Sequence, residues 1–174
     1  MNGKMQLKAF GGKSYTIFGG RYPEKPMGWF GVRCAEEIAL PADVVVAIRD
    51  FGVPKDPVQL IAGLGRALDA IMGGEPVYVG CKGGQGRTGL FLACLAKLWG
   101  VKKPVEFVRA TYYSHAVETK EQEQYVEHLK FPLWLRVRVF GAKLHGLGFG
   151  RKSLTVWNQE DVRPKEPLLK YQIP

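Results

Sequence analysis

A glycine-rich segment between two apolar runs constrains the fold of this chain more than any other feature. The short apolar run at residues 77–79 leads into a loop with five glycines at residues 80–89, and an apolar run at residues 90–96 follows. This pattern predicts a buried strand, a tight turn and a buried helix that begins inside the turn. The first turn of such a helix points free backbone N–H groups at one place. The segment therefore predicts a site for an oxyanion such as phosphate.

The patterns on either side of this segment predict an α/β domain. The predicted strands are residues 6–10, 14–18, 44–48 and 77–79. Asp56 before Pro57 is typical of a helix N-cap, and further helices are expected from Pro104 and from Thr119 to about Lys130. Residues 133–140 alternate like a strand. We expect a central mixed or parallel sheet flanked by helices.

Length and composition fit a single soluble domain. The chain has 174 residues, of which 46% are hydrophobic and 24% are charged. Its three cysteines cannot all pair, which excludes a disulfide scaffold, and none forms a C-x-x-C metal or redox motif. No stretch approaches the ~20 apolar residues of a membrane span, and the first ten residues do not resemble a signal peptide. We therefore expect a cytoplasmic protein.

The excess of positive charge predicts anionic partners. The chain has 25 lysines and arginines against 16 acidic residues, a formal net charge of +9. Much of the excess follows Phe131, and we divide the chain into a main domain at residues 1–145 and a basic C-terminal extension at residues 146–174. The basic surface would attract a polyanion such as RNA or an inositide. A merely solvated face is the alternative.

The glycine loop does not match the nucleotide-binding pattern G-x-x-x-x-G-K-[ST]. Placing the second glycine of that pattern on Gly86 puts Cys81 at its first glycine and Arg87 at its lysine. What stands there instead is C-x5-R, with a cysteine at the loop entrance and an arginine at its exit.

This C-x5-R arrangement has the parts of a nucleophilic phosphate site. A thiolate at the focus of the loop N–H groups is stabilised by the field that binds phosphate, which makes Cys81 a candidate nucleophile. The planar guanidinium of Arg87 can hold two phosphate oxygens, and the Thr88 hydroxyl can donate to the sulfur. A buried structural cysteine is the alternative for Cys81. The predicted phosphate-binding residues are Lys82, Gly83, Gly84, Gln85, Gly86 and Arg87.

With two other segments, the loop resembles the cysteine-dependent protein tyrosine phosphatase superfamily, in its dual-specificity-like form. The family signature continues as G-x-G-R-T-G at residues 84–89. Residues 49–54, R-D-F-G-V-P, look like the mobile W-P-D-x-G-V-P loop, with Asp50 at the general-acid position. Residues 118–122, E-T-K-E-Q, are similar to the E-T-x-x-Q element of many dual-specificity members. The three segments occur in the family's order and cover roughly residues 43–130.

The resemblance implies a protein tyrosine phosphatase-like fold and hydrolysis through a phosphocysteine, with no metal or cofactor. Cys81 would attack phosphorus while Asp50 protonates the leaving oxygen, and Asp50 would then activate a water held by Gln122. Glu118 and Arg49 are further candidates, the latter for contact with a substrate phosphate. The alternatives are structural: Asp50 caps a turn, Gln122 closes a helix capping box and Glu118 favours a helix dipole.

Some positions depart from the family pattern. Gly80 stands where the family usually has histidine before the nucleophile, and Ile48 with Arg49 replaces the Trp-Pro of the acid loop. Lys82 is similar to the lysine after the nucleophile in the phosphoinositide-directed tensin-homologue phosphatases, but Gln85 replaces their second lysine. The absence of the histidine affects how the Cys81 thiolate is stabilised, and Lys82 affects which substrates the loop favours.

The sequence leaves three functions open. The first is hydrolysis of phosphotyrosine or phosphoserine/threonine, for which the partner is a phosphorylated protein or another phosphomonoester. The second is a phosphatase acting on an RNA 5′ end, a nucleotide or a phosphoinositide. The third is a catalytically weak phosphate-binding pseudophosphatase module.

Overall fold

The computed structural model describes residues 3–147, which contain one mixed sheet of five strands. Its strands are β1 (Gly3–Lys8), β2 (Ser14–Arg21), β3 (Phe30–Arg33), β4 (Val44–Val45) and β5 (Val77–Cys81). Their order across the sheet is β1-β2-β5-β3-β4. The β1–β2 pair is antiparallel and the other neighbours are parallel. The expected α/β class with a mixed sheet is confirmed.

Five α-helices in the described residues surround this sheet. They are α1 (Pro57–Gly73), α2 (Gly86–Leu98), α3 (Pro104–Thr111), α4 (Lys120–His128) and α5 (Leu133–His145). The carboxylate of Asp56 caps α1 by accepting from the N–H of Val58 at 2.8 Å. Gly74 ends the same helix with φ of 79°, a left-handed conformation that suits glycine. Both ends of α1 therefore follow from local sequence.

The strand, loop and helix at residues 77–98 form the centre of the core. All five residues of β5 are buried, and α2 is buried along nearly its whole length. A helix of this kind needs apolar side chains on every face, because other elements surround it. The C-x5-R segment at residues 81–87, which we call the phosphate loop, is thus held on both sides by rigid elements.

Two predicted elements differ from the structure. The strand expected at residues 44–48 pairs only through Val44–Val45, and Ile48 then forms an isolated bridge with Pro54. The strand expected at residues 133–140 is wrong, because these residues form helix α5. Its buried residues Leu135, Val139 and Ala142 recur at helical spacing and pack toward α1. Apolar residues on the opposite side of the helix produce the alternation that imitates a strand.

The predicted C-terminal extension begins at residue 146, directly after the last residue of α5. Residues 141–145 complete α5, and residues 148–174 of the predicted extension lie outside the described residues. Within residues 3–147, no helix is both long enough and apolar enough to cross a membrane.

Candidate active site

The phosphate loop connects the carboxyl end of β5 to the amino end of α2. Cys81 is the last residue of β5, and its sulfur accepts a hydrogen bond from the backbone N–H of Gly84 at 3.2 Å. Gly84 has φ of 75°, and a Cβ there would lie 2.5 Å from the carbonyl carbon of Gly20. Only glycine fits this turn, and the turn is what points an N–H at the sulfur. Lys82 and Gly83 are exposed at its outer side.

The position before Cys81 has room only for glycine. A Cβ on Gly80 would lie 2.7 Å from the Cα and 2.9 Å from the backbone nitrogen of Tyr22. The chain after β2 therefore crosses directly over Gly80 and excludes any side chain. The usual family histidine has no room at this position.

The guanidinium of Arg87 joins three parts of the site. Its two terminal nitrogens donate to the carboxylate of Glu37 at 2.7 and 2.8 Å, and Nη1 also donates to the carbonyl of Ile48 at 3.3 Å. Nη2 lies 2.9 Å from Oδ1 of Asp50. The structure thus brings the predicted acid Asp50 to the predicted phosphate ligand Arg87, although 37 residues separate them.

Burial and these contacts have opposing effects on the pKa of Arg87. Burial disfavours the charged guanidinium, but the hydrogen bonds to Glu37 and the nearby charges of Cys81 and Asp50 outweigh it and raise the pKa. The same hydrogen bonds lower the pKa of Glu37, against the effect of its partial burial. Both groups therefore remain charged, and Arg87 remains a cation beside the sulfur.

Thr88 has a different partner from the predicted one. Its hydroxyl is buried and donates to the carbonyl of Gly20 at 3.5 Å, rather than to the sulfur of Cys81. Since Gly20 also lies against Gly84, this contact fixes the start of α2 to the end of β2. The residue supports the loop in the described conformation.

Gln122 does not face an open site. It is fully buried, its Oε1 accepts from the N–H of Glu118 at 2.9 Å, and its Nε2 donates to the carbonyl of Gly52 at 3.0 Å. The Thr119 hydroxyl accepts from the N–H of Gln122 at 3.2 Å, as a helix cap does. Through these two bonds Gln122 ties α4 to the acid loop in the described conformation. Its role in holding a water stays a prediction.

Glu118 lies beside the start of α2, and Arg49 precedes Asp50 in the acid loop. Glu118 is exposed, and its carboxylate lies so close to Gly86 that a Cβ at that glycine would overlap it. Arg49 is exposed in the acid loop, where its carbonyl accepts from the N–H of Gly52 at 3.0 Å. Gln85, half-buried, is the residue directly before α2, and its carbonyl accepts the bond from Gly89 that opens the helix.

Two residues near the site carry no signal in the sequence. Glu37 lies in a segment without periodicity or a known motif, and only the folded chain shows that it binds Arg87. Cys34 follows β3 and donates its N–H to the carbonyl of Gly80 at 2.7 Å, so it lies beside the end of β5. Burial, and then the charge of Cys81, raises the pKa of the Cys34 thiol well above its usual value. Cys34 therefore stays protonated.

Comparison with known proteins agrees with this architecture. A family model described as the Swiss Army Knife protein, DSP-PTPase phosphatase domain, matches residues 23–130, which is more than half of the chain. The chain belongs to this phosphatase domain family. The resemblance to cysteine-dependent phosphatases and the fold that it implied are confirmed.

One similar sequence is that of an uncharacterized protein of Methanocaldococcus jannaschii, MJECL20. It is 45% identical over 87 residues, which are 49% of this chain and 58% of that protein. A second uncharacterized protein of this organism, MJ0215, is 44% identical over 87 residues and is covered over 54% of its length. The chain thus spans little more than half the length of the curated relatives that it matches.

A solved structure supports the fold. The structure of PTPMT1 superimposes with a TM-score of 0.51 at 16% identity and covers 80% of this chain and 99% of that one. At this level of identity the similarity concerns the fold alone.

Proposed function

We propose that this domain hydrolyses phosphomonoesters through a phosphocysteine formed on Cys81. The observation that carries the proposal is the 2.9 Å ion pair between Arg87 and Asp50, which joins the phosphate loop to the acid loop. A phosphate held by Arg87 would lie next to both the sulfur and the carboxyl group. A nucleophile and an acid on either side of one phosphate are what this reaction needs.

The proposed chemistry has two displacements. The thiolate of Cys81 forms an S–P bond as the P–O bond to the leaving group breaks, and Asp50 gives its proton to the departing oxygen. A water then forms a new P–O bond as the S–P bond breaks, and Asp50 takes the water proton. Arg87 stays protonated and neutralises the phosphoryl oxygens throughout.

A phosphorylated protein is the substrate class that we propose. The carboxylates of Glu37, Asp50 and Glu118 adjoin the loop. They would repel the extra charges of RNA, a polyphosphate or a multiply phosphorylated inositide near the reacting phosphate. A singly phosphorylated side chain carries no such extra charge.

Turnover of p-nitrophenyl phosphate without added metal tests the proposal. We expect vanadate to inhibit it, Cys81→Ser to abolish it and Asp50→Asn to lower kcat by roughly 10²- to 10⁴-fold. Cys94→Ser is the matched control, because Cys94 is buried in α2 and should be dispensable for chemistry. Phosphopeptide binding without turnover would instead identify a binding module.

The substrate class is tested separately. Initial rates on phosphotyrosine and phosphoserine peptides, an inositide phosphate and a 5′-phosphorylated RNA should rank the peptides first. Preference for the RNA or the inositide would contradict the proposed class and leave the phosphocysteine chemistry intact.

A further inference from the structure

The outward side of α5 is apolar. Leu133, Val137 and Phe140 are 71%, 59% and 57% exposed, and their spacing of four and three residues places them along one side of the helix. Leu147 continues this line just beyond α5, and Phe10 packs edge-on against Phe140 with ring centroids 6.3 Å apart. We call this surface the α5 stripe: Leu133, Val137, Phe140, Leu147 and Phe10.

Most of the large apolar side chains that are exposed in the described residues lie in the stripe. Among residues 3–147, nine large apolar side chains are exposed, and five of them belong to the stripe. The buried side chains of α5 lie on the opposite side of the helix, so the domain core does not explain the apolar character of this outer side. A contiguous patch of this kind is typical of a surface that contacts something else.

Basic residues lie beside the stripe. At 100° per residue, Arg136 and Lys143 fall on one side of the line and Arg138 on the other, and α5 contains no acidic residue. The ammonium of Lys143 lies 5.9 Å from the centre of the Phe10 ring. Arg138 already pairs with Asp69 of α1. The stripe is thus an apolar line whose free flanking charges are positive.

We propose that the α5 stripe docks on an anionic lipid surface. Apolar side chains between lysines and arginines match the boundary of a bilayer, where acyl chains lie beneath negative headgroups. Long basic side chains can cover apolar surface with their stems and place their charges among the headgroups. The apolar side chains would then contact the acyl chains while the flanking cations contact the headgroups.

Charge disfavours three other partners for the α5 stripe: a second copy of the chain, residues 148–174 and RNA. A second copy of the chain would present the same cations, with no carboxylate on its own α5 to pair with them. Residues 148–174 also have a positive balance, with five lysines and arginines against three acidic residues. RNA would pair with the cations but leave the apolar line without a partner.

Docking of this kind would leave the proposed catalytic site open. The stripe runs to Phe10, which precedes β2, whereas the Cys81 loop follows the end of β5. Since β2 and β5 are parallel, these places lie at opposite ends of the sheet. A domain bound through α5 would present its phosphate loop away from the bilayer.

Vesicle co-sedimentation of the full chain tests the proposal. We expect binding to phosphatidylcholine vesicles that contain about one third phosphatidylserine, little binding to pure phosphatidylcholine, and weaker binding as salt is added. Phe140→Glu should weaken binding about tenfold or more, since it removes apolar area and adds a negative charge. Val137→Glu should act in the same direction and guards against a folding defect in the first variant.

Met27→Glu is the matched control, because Met27 is 97% exposed and lies outside the stripe. It makes the same change of charge and should bind as the unaltered chain does. Wild-type binding by Phe140→Glu, or no binding to anionic vesicles at low salt, would overturn the proposal. So would dimers or RNA complexes that form in place of vesicle binding. Binding is measured without turnover, so its failure is separable from failure of the phosphatase chemistry.

Discussion

Arg87 shows how one side chain organises the site. It is 3% exposed, and its guanidinium contacts Glu37 and Asp50 from two separate loops. A buried cation without partners would be costly, and these carboxylates compensate for its burial. In the proposed mechanism, phosphate oxygens would bind the same guanidinium, so substrate would replace part of this contact. The proposal thus links the stability of the site to substrate binding.

The Glu37–Arg87 contact predicts a pH-dependent stability. Its hydrogen bonds lower the pKa of Glu37 in the folded state, so the stabilisation is present above the ordinary Glu pKa and is lost as pH falls through the lowered value. At pH 7, Glu37→Gln should lower the free energy of unfolding by about 1 kcal/mol or less, given the partial exposure of Glu37. The difference should shrink between about pH 5 and pH 3 in urea titrations.

A nearby glutamate supplies the control for Glu37→Gln. Glu36 pairs at 3.1 Å with Lys55, which is exposed, so Glu36→Gln should change stability less than Glu37→Gln at pH 7. Equal losses of unfolding free energy in the two variants would contradict the stabilising role of the Glu37–Arg87 contact.

Gly80 predicts a steric effect on stability. A methyl group there meets the backbone of Tyr22, which cannot move aside as a flexible side chain would. Gly80→Ala should therefore destabilise the fold by about 1–3 kcal/mol in chemical denaturation. Gly83→Ala is the control, since no atom lies within 4 Å of its added Cβ. If Gly80→Ala left the free energy of unfolding unchanged, the chain that crosses over Gly80 would have to be able to shift.

Between elements, α4 and the acid loop are coupled. Gln122 donates to the carbonyl of Gly52, and the Thr119 hydroxyl donates to that of Phe51 at 3.3 Å. Phe51 has φ of 57°, which is uncommon for a residue other than glycine. Two contacts from α4 thus hold the backbone just after Asp50 in a strained turn. The position of Asp50, the predicted acid, therefore depends on a helix 70 residues away from it in sequence.

This coupling predicts a selective kinetic defect. Gln122→Ala should lower kcat about tenfold while the KM for a small substrate changes little, because Asp50 is less well placed while Cys81 and Arg87 are intact. The loss should be larger for phenyl phosphate than for p-nitrophenyl phosphate, whose better leaving group depends less on the acid.

Gln124→Ala is the control for this defect, since Gln124 is exposed on the same helix. Equal losses with both substrates would mean that Gln122 does not act through the acid.

At the scale of the whole molecule, α5 extends the domain beyond the family match, which ends at residue 130. Trp134 lies against Gly65 of α1, and Leu135 is fully buried. Leu135→Ala should cost about 2–5 kcal/mol of unfolding free energy, whereas Leu133→Ala, two residues earlier and 71% exposed, should cost about 0.5 kcal/mol or less. Similar losses in thermal or urea unfolding would contradict the packing of α5.

Much of this protein follows from its sequence because the signals are local. The β5 strand, the glycine loop and α2 need only apolar runs and glycines in succession, and the caps of α1 and α4 need only Asp56 and Thr119. The order of the acid loop and the phosphate loop along the chain was sufficient to predict the family and its fold. Such features depend on neighbours in sequence, so the sequence alone determined them.

Only the tertiary structure decided which distant groups meet. The contact of Glu37 with Arg87, the backbone of Tyr22 over Gly80 and the anchoring of Gly52 by Gln122 join residues from different elements. Residues 133–140 form a helix because Leu135 and Val139 pack toward α1, although their alternation is typical of a strand. Packing outweighs local pattern there, since burial of an apolar face contributes more than intrinsic preference.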